Sequence, residues 1–168
     1  ENALYLFGGR KKNKDGISDL YAEVRRFDFR RHKWVSSVAL PYPISAGTGI
    51  SLRDRILLLG GDRGETFHRT EVIQAAIQSA ATKEEKHTMM QFKINLQSSH
   101  PGFSRQVIAY YPTEQRWVIA DSIPFEAPVT TTAIRWDNLI IIPSGEIRAG
   151  IRTPHILSAR LDDKRFKP

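Results

Sequence analysis

Three short apolar runs divide the chain, and each of them ends at glycine. Runs of four to five mostly apolar residues that are stopped by glycine predict short buried strands. The runs and the residues that end them are 4–7 with Gly8-Gly9, 55–59 with Gly60-Gly61, and 139–142 with Pro143-Ser144-Gly145.

A second element follows the first two runs at a regular place. Residues 24–29 lead to Trp34, and residues 107–111 lead through a Pro-Thr-Glu-Gln turn to Trp117. Alternating or apolar residues on both sides of a tight turn predict an antiparallel strand pair. Further strands at 47–52 and 129–135 are predicted just before the second and third glycine-ended runs.

The repeated unit is therefore strand, apolar strand, glycine pair, strand and Trp-bearing strand. It resembles the kelch repeat, in which about 50 residues form one four-stranded blade of a β-propeller. We count three, four and three strands along the chain, and ten strands cannot close a propeller of four to eight blades. The sequence thus predicts an all-β fold, an incomplete kelch-type β-propeller ring. We expect the remaining blades to come from another segment of the same precursor or from another chain.

The predicted blades divide the chain into 1–38, 39–122 and 123–168, of which the first and last are incomplete. The middle blade contains an insertion at about 62–102, where a 3.6-residue period predicts helices over 65–81 and 83–97. We expect the apolar sides of these helices to pack on their own blade. A lid or a homodimer contact is the alternative, because long insertions in compact domains are often functional.

The charge of the chain changes this interpretation little. The net charge is +7 and there is no cysteine, which excludes a disulfide framework and a thiol nucleophile. The basic residues 10–14 and 30–33 fall at predicted hairpin tips, where polar residues are usually solvated. No aromatic stacking motif accompanies them, so we expect no nucleic-acid partner. No apolar run is long enough to cross a bilayer, and we expect no membrane partner. A small anionic substrate is compatible with the positive charge.

Residues 142–153 carry the most specific motif of the chain. Gly145, Glu146, Gly150, Arg152 and Thr153 stand at the spacing of the signature of the N-acetylneuraminate (sialic acid) mutarotases, also called epimerases. Ser144 stands where that family has Asn. The helical insertion and the lead from Phe103-Ser104 to Trp117 are similar to the family as well. The likeness covers about 40–161 and resembles the cyclically permuted branch.

The resemblance implies a six-bladed propeller and an isomerase that interconverts the α and β anomers of sialic acid. Glu146 would accept a proton, and Arg152 would both take part in catalysis and bind the carboxylate of the acidic sugar through its planar fork. The resemblance implies no metal or organic cofactor. It also implies a bacterial protein of the periplasm or the extracellular medium.

Other interpretations stay open at this point. The protein could be a non-catalytic propeller module that binds a protein or a glycan, because propellers have many unrelated functions. Glu146 and Arg152 could instead form an ordinary salt bridge within a loop. The histidines show no metal-ligand spacing, and we interpret them as surface or packing residues.

Overall fold

The computed structural model describes residues 3–161, which form four antiparallel sheets and two helices. The predicted blade segments 1–38 and 123–168 extend into residues 1–2 and 162–168, which lie outside the described residues. Neither helix is long and apolar enough to cross a membrane within the described part of the chain. The exact blade boundaries stay a prediction.

The first sheet joins β1 (Leu4–Phe7), β4 (Val24–Asp28) and β5 (Lys33–Ser36) in the order β1-β4-β5. Between β1 and β4 the chain forms a small hairpin from β2 (Arg10–Lys12) and β3 (Ser18–Leu20). The predicted basic tip at 10–14 is therefore partly strand, because Arg10 pairs with Leu20 across this hairpin.

The central sheet has all four strands of the predicted unit. They are β6 (Thr48–Ser51), β7 (Ile56–Leu59), β8 (Gln106–Tyr111) and β9 (Arg116–Ser122), paired in chain order. The insertion lies between β7 and β8 and contains α1 (Glu65–Ser79) and α2 (Lys83–Ser98). Both helices begin where the sequence predicts and end within two residues of it.

The third sheet contains β10 (Ile134–Trp136), β11 (Leu139–Arg148) and β12 (Ile151–Arg160). The strand predicted over 129–135 is shorter than expected. Thr130 has a φ of 52°, which takes the backbone out of the extended region, and Val129 forms only an isolated bridge.

The core lies on both faces of the central sheet. Successive side chains of a strand point to opposite faces, so Leu57, Leu59 and Val107 pack towards the third sheet, whereas Leu58 and Ile108 pack towards the first. This double burial explains the continuous apolar runs in β7 and β8. Three sheets thus stack face to face like neighbouring blades.

The helices do not pack as the sequence predicts. All residues of α1 and α2 are described, and none of them is buried. The Phe67 ring lies 4.3 Å from the Arg10 guanidinium, and Glu71 accepts hydrogen bonds from the backbone N–H and the hydroxyl of Ser18 at 2.6 and 2.9 Å. These contacts hold α1 against the β2–β3 hairpin, which is inserted between two strands of the first sheet, rather than against its own sheet alone.

Candidate functional site

The residues at one equivalent position of the three repeats all line a single cleft. Arg10, Asp62 and Glu146 each follow the glycine at the end of an apolar run, and all three line a cleft of about 310 Å³. Asp62 and Glu146 occupy equivalent places, because each forms an isolated backbone bridge to the segment that leads into its own sheet, through Ser45 and Val129 respectively. The blade-like symmetry therefore brings three charged residues together from distant parts of the sequence.

The backbone before Glu146 is held by close packing. Gly145 has a φ of 129°, and a Cβ atom there would lie 2.7 Å from Cβ of Pro128 and 2.8 Å from the carbonyl oxygen of Val129. Only glycine fits such an approach without displacement of the neighbouring backbone. Ser144 has a φ of 55°, and its hydroxyl donates to the carbonyl oxygen of Thr153 at 2.7 Å. Asn adopts this left-handed conformation more readily than most residues, and Ser144 adopts it here.

The carboxylate of Glu146 is fixed on one side and open on the other. Its Oε1 accepts a hydrogen bond from the backbone N–H of Gly150 at 2.8 Å, and Gly150 reaches this position with a φ of 73°. Its Oε2 accepts no hydrogen bond from any residue within 3–161. The half-buried side chain therefore presents one unoccupied carboxylate oxygen to the cleft.

Arg152 stands opposite Glu146 on the neighbouring strand. The two residues are register partners of β11 and β12, although bulges interrupt the register on both sides of Glu146. The Arg152 guanidinium is exposed and donates a long hydrogen bond of 3.4 Å to Oγ1 of Thr130, which lines the cleft. Arg152 itself borders an adjoining depression with Phe125 and Glu126, so it reaches the rim of the Glu146 cleft rather than its floor.

The salt bridge considered for this pair does not form. Among the ion pairs of the described residues, neither Glu146 nor Arg152 has a partner within 4.0 Å. Arg148, which the sequence places in the same loop, pairs instead with Glu126 at 2.7 Å. The Glu146 carboxylate and the Arg152 guanidinium thus stay available to a third molecule.

Unusual backbone conformations border the cleft. Ala46 and Thr130 have φ values of 54° and 52°, and the Thr130 N–H donates to the Ala46 carbonyl oxygen at 3.2 Å. Non-glycine residues in this region cost free energy and concentrate at binding and catalytic sites. Both residues line the cleft, which supports its interpretation as a functional site.

Sequence reasoning missed Arg10 and Asp62. It placed Arg10 in a solvated hairpin tip; the side chain is indeed exposed, and it also contacts the Phe67 ring and the Glu71 carboxylate, the latter at 4.0 Å. Asp62 accepts a hydrogen bond from the Gly64 N–H at 2.8 Å. An alignment of the three glycine-ended repeats would have identified both, because each residue occupies the repeat position of Glu146.

His100 is the third residue of the cleft that sequence reasoning did not assign to it. It is only 7% exposed, and its ring packs on Phe103 with a centroid distance of 4.9 Å. The packing role predicted for the histidines is thus observed at His100, but its ring also lines the cleft with Glu146. Among residues 3–161 no group of three or more His, Asp or Glu side chains could hold a metal ion.

Comparisons with known proteins agree with this architecture. A family model described as N-acetylneuraminate epimerase matches residues 1–167. Curated proteins named N-acetylneuraminate epimerase are similar to the chain, among them those of Salmonella typhimurium (26% identical over 166 residues, 97% of this chain and 42% of the relative) and Haemophilus influenzae (23% over 154 residues, 91% and 40%). The chain thus spans less than half the length of these relatives.

A solved structure described as that of YjhT has the same fold. The two superimpose with a TM-score of 0.78 at 16% identity, over 96% of this chain and 47% of that one. The predicted fold class, a β-propeller with an incomplete ring and a helical insertion, is confirmed. The resemblance inferred from residues 142–153 is confirmed by the family match. The chain belongs to the N-acetylneuraminate epimerase family.

Proposed function

We propose that the protein is a sialic acid mutarotase, which interconverts the α and β anomers of N-acetylneuraminate with Glu146 as the proton acceptor. The observation that carries this proposal is the state of the Glu146 carboxylate. One oxygen is fixed by the Gly150 N–H, and the other is open to a cleft lined by the residues that follow each of the three glycine-ended strands. A cleft of about 310 Å³ is at the lower end of the range of small-molecule sites.

The reaction needs one proton acceptor and one proton donor. Oε2 of Glu146 takes the proton of the anomeric hydroxyl, and the electron pair of that O–H bond forms the carbonyl bond. The bond between the anomeric carbon and the ring oxygen breaks, and the ring oxygen keeps its electron pair and takes a proton from water or another donor. Reclosure on the opposite face of the carbonyl, with the proton transfers reversed, gives the other anomer. General acid–base help of this kind is worth about 10²–10⁴-fold.

Two guanidinium groups can receive the carboxylate of the sugar. Arg152 has free donors at the rim of the cleft, and its planar fork matches a carboxylate in two parallel hydrogen bonds. Arg10 lies on the other side, but it already faces Glu71 at 4.0 Å. Because Arg152 has no acidic partner among the described residues, it is the stronger candidate for the anchor.

The partner that completes the ring is part of the proposal. The outer faces of the first and third sheets expose large apolar side chains, among them Leu6, Trp136 and Ile156. Apolar faces of this size are normally covered, and the relatives are more than twice as long as the matched region. We propose that further propeller blades, from the same precursor or another chain, cover these faces and supply the rest of the sugar site.

Nuclear magnetic resonance of freshly prepared α-N-acetylneuraminate tests the activity. The intact protein from its source, with every blade present, should equilibrate the anomers faster than buffer. Glu146→Gln keeps the shape of the side chain and should reduce the rate gain by at least about 100-fold, with an unchanged circular dichroism spectrum. Anomer exchange no faster than in buffer would refute the mutarotase proposal.

A matched variant separates the site from a general effect of charge. Glu114→Gln changes an exposed glutamate at the turn between β8 and β9, where it pairs with Arg116, and should leave the rate unchanged. A rate equally insensitive to Glu146→Gln would remove Glu146 from the mechanism. The non-catalytic binding module, which the family match does not favour, predicts sugar binding without any rate gain.

A further inference from the structure

His100 is the one buried histidine of the chain. The other four, His32, His68, His87 and His155, are exposed. His100 is the second residue after α2, and its N–H donates to the carbonyl oxygen of Gln97 at 3.2 Å. Its ring is thus anchored at the point where the insertion returns to the central sheet.

The backbone fixes which ring nitrogen of His100 carries the proton. Nδ1 accepts a hydrogen bond from the Gly102 N–H at 2.9 Å. Pro101 cannot continue the helix, and Gly102, at a φ of 91°, turns its N–H back towards the ring. A nitrogen that accepts a hydrogen bond from an N–H has no proton of its own, so in the neutral ring the proton is on Nε2.

Nε2 of His100 stays free of the hydrogen bonds that hold the fold together. It makes no hydrogen bond to any residue within 3–161, and it is not among the side-chain atoms sealed from solvent. His100 and its packing partner Phe103 both line the cleft of Glu146. A Cβ at Gly102 would lie 3.8 Å from the carbonyl oxygen of Ile147, so this segment also borders the signature loop.

His100 shares the cleft with other side chains that can donate a hydrogen bond, and it is the buried one among them. Besides Arg10, the others are Ser45, Thr66, Thr70, Gln97 and Thr130. Asp62 and Glu146 are acceptors, and each has one oxygen bonded to a backbone N–H. The Arg10 guanidinium lies near Glu71 and over Phe67. An N–H donor in the same cleft as a carboxylate base can stabilise a substrate oxygen on which negative charge develops.

We propose that His100 is the hydrogen-bond donor of the sugar site, and that its Nε2–H binds the sugar oxygen on which negative charge builds as the ring opens. This inference rests on the proposed mutarotase function. His100 would act as a general acid only from the doubly protonated ring, and a proton on Nδ1 would face the Gly102 N–H. His100 therefore donates a hydrogen bond and keeps its proton. The proton that the ring oxygen finally takes comes from water or another donor, as in the proposed reaction.

The tautomer of His100 is the first test, and it needs neither sugar nor activity. Long-range ¹H–¹⁵N spectra of the histidine rings in the intact protein at neutral pH should show His100 with the proton on Nε2 and Nδ1 as an acceptor. The signal of the exposed His87 on α2 serves as the internal reference. A proton on Nδ1 of His100 overturns the proposal.

Two substitutions then test the donor. His100→Phe keeps a ring against Phe103 but removes both nitrogens, whereas His100→Gln retains an N–H donor near the place of Nε2. We expect His100→Phe to lower kcat for anomer exchange by at least about tenfold with a smaller change in KM, because the bond strengthens as charge develops. His100→Gln should recover most of the loss, and His87→Gln should have no effect.

The outcomes separate this inference from the proposed function. A wild-type protein that accelerates exchange, together with a His100→Phe variant of unchanged kcat, overturns the role of His100 alone. Equal losses in the Phe and Gln variants also overturn it, because they indicate a structural role. If His100→Phe does not fold, the Gln variant decides, and a tenfold loss of kcat there counts against the donor. A wild-type protein that does not accelerate exchange overturns both proposals.

Discussion

Two tryptophans at the same repeat position have different surroundings. Trp117, on the central sheet, packs between sheets against Tyr110 at 4.8 Å and Phe7 at 5.7 Å, and its Nε1 donates to the Val38 carbonyl oxygen at 3.4 Å. Trp34, on the first sheet, contacts Phe27 of its own sheet and is 45% exposed. The same residue in the same repeat thus fills an interface in one sheet and lies open in the other.

This difference shows where the chain derives its stability. The central sheet is buried on both faces by its two neighbours, whereas each neighbour has one covered face and one apolar face open to solvent. Burial of apolar surface is the main stabilising contribution to folding. The central sheet should therefore be the most sensitive part of the chain to substitution, and the outer faces the least.

The largest difference in stability is expected between substitutions of the two tryptophans. Trp117→Ala removes the aromatic contact between the central and first sheets and should lower the free energy of unfolding by about 3 kcal/mol. Trp34→Ala should cost about 1 kcal/mol or less. Urea denaturation followed by circular dichroism measures both values. Equal losses would contradict the contrast between the two sheets.

A smaller difference in stability is expected between substitutions of two glycines in the third sheet. Gly145→Ala brings a Cβ into contact with Pro128 and Val129 and should cost about 2–3 kcal/mol. Gly150→Ala meets no atom within 4 Å, and its positive φ alone should cost about 1 kcal/mol. The same denaturation experiment measures this difference. A Gly145→Ala variant as stable as Gly150→Ala would show that the site backbone is loosely held.

A still smaller difference in stability is expected between isoleucines on the two faces of the third sheet. Ile142 is 5% exposed and packs towards the central sheet, whereas Ile156 is 69% exposed. Ile142→Val should lower the free energy of unfolding by about 1 kcal/mol, and Ile156→Val should stay within about 0.5 kcal/mol of the wild type. If the Ile156 variant loses more in the intact protein than in this chain alone, further blades cover that face.

The smallest effect concerns the hairpin between β4 and β5. The backbone N–H of Arg31, and then that of Arg30, donate to the Asp28 carboxylate and hold its pKa below the ordinary value. A lowered pKa means that this contribution to stability is present above the unfolded pKa and is lost as the pH falls through the folded pKa. A ¹³C titration of Asp28 should give a pKa below that of the unfolded chain, and Asp28→Asn should remove this part of the acid sensitivity. A titration at the unfolded value would refute the assignment.

The local elements of the fold could be predicted from the sequence. The glycine-ended runs, the two helices of the insertion and the Trp-bearing strands are local patterns of hydrophobicity and turn residues, which neighbouring residues determine. Strand β10 is an exception, because Thr130 has a left-handed φ and its N–H donates to Ala46, in the segment that leads into the central sheet. Glu146 and Arg152 could be identified because the signature lies in one short segment, and their places on paired strands follow from it.

The composition of the cleft was decided by the tertiary structure. Arg10, Asp62 and His100 are separated along the chain by tens of residues, and they meet only because the sheets stack with their glycine-ended strands side by side. The sequence alone determined most of the strands, both helices and the motif that carries the chemistry, since these depend on short-range patterns. Only the packing of one sheet on the next decided which charged side chains and which histidine line the cleft with Glu146. Burial of the apolar faces between the sheets makes neighbours of side chains that are far apart in sequence.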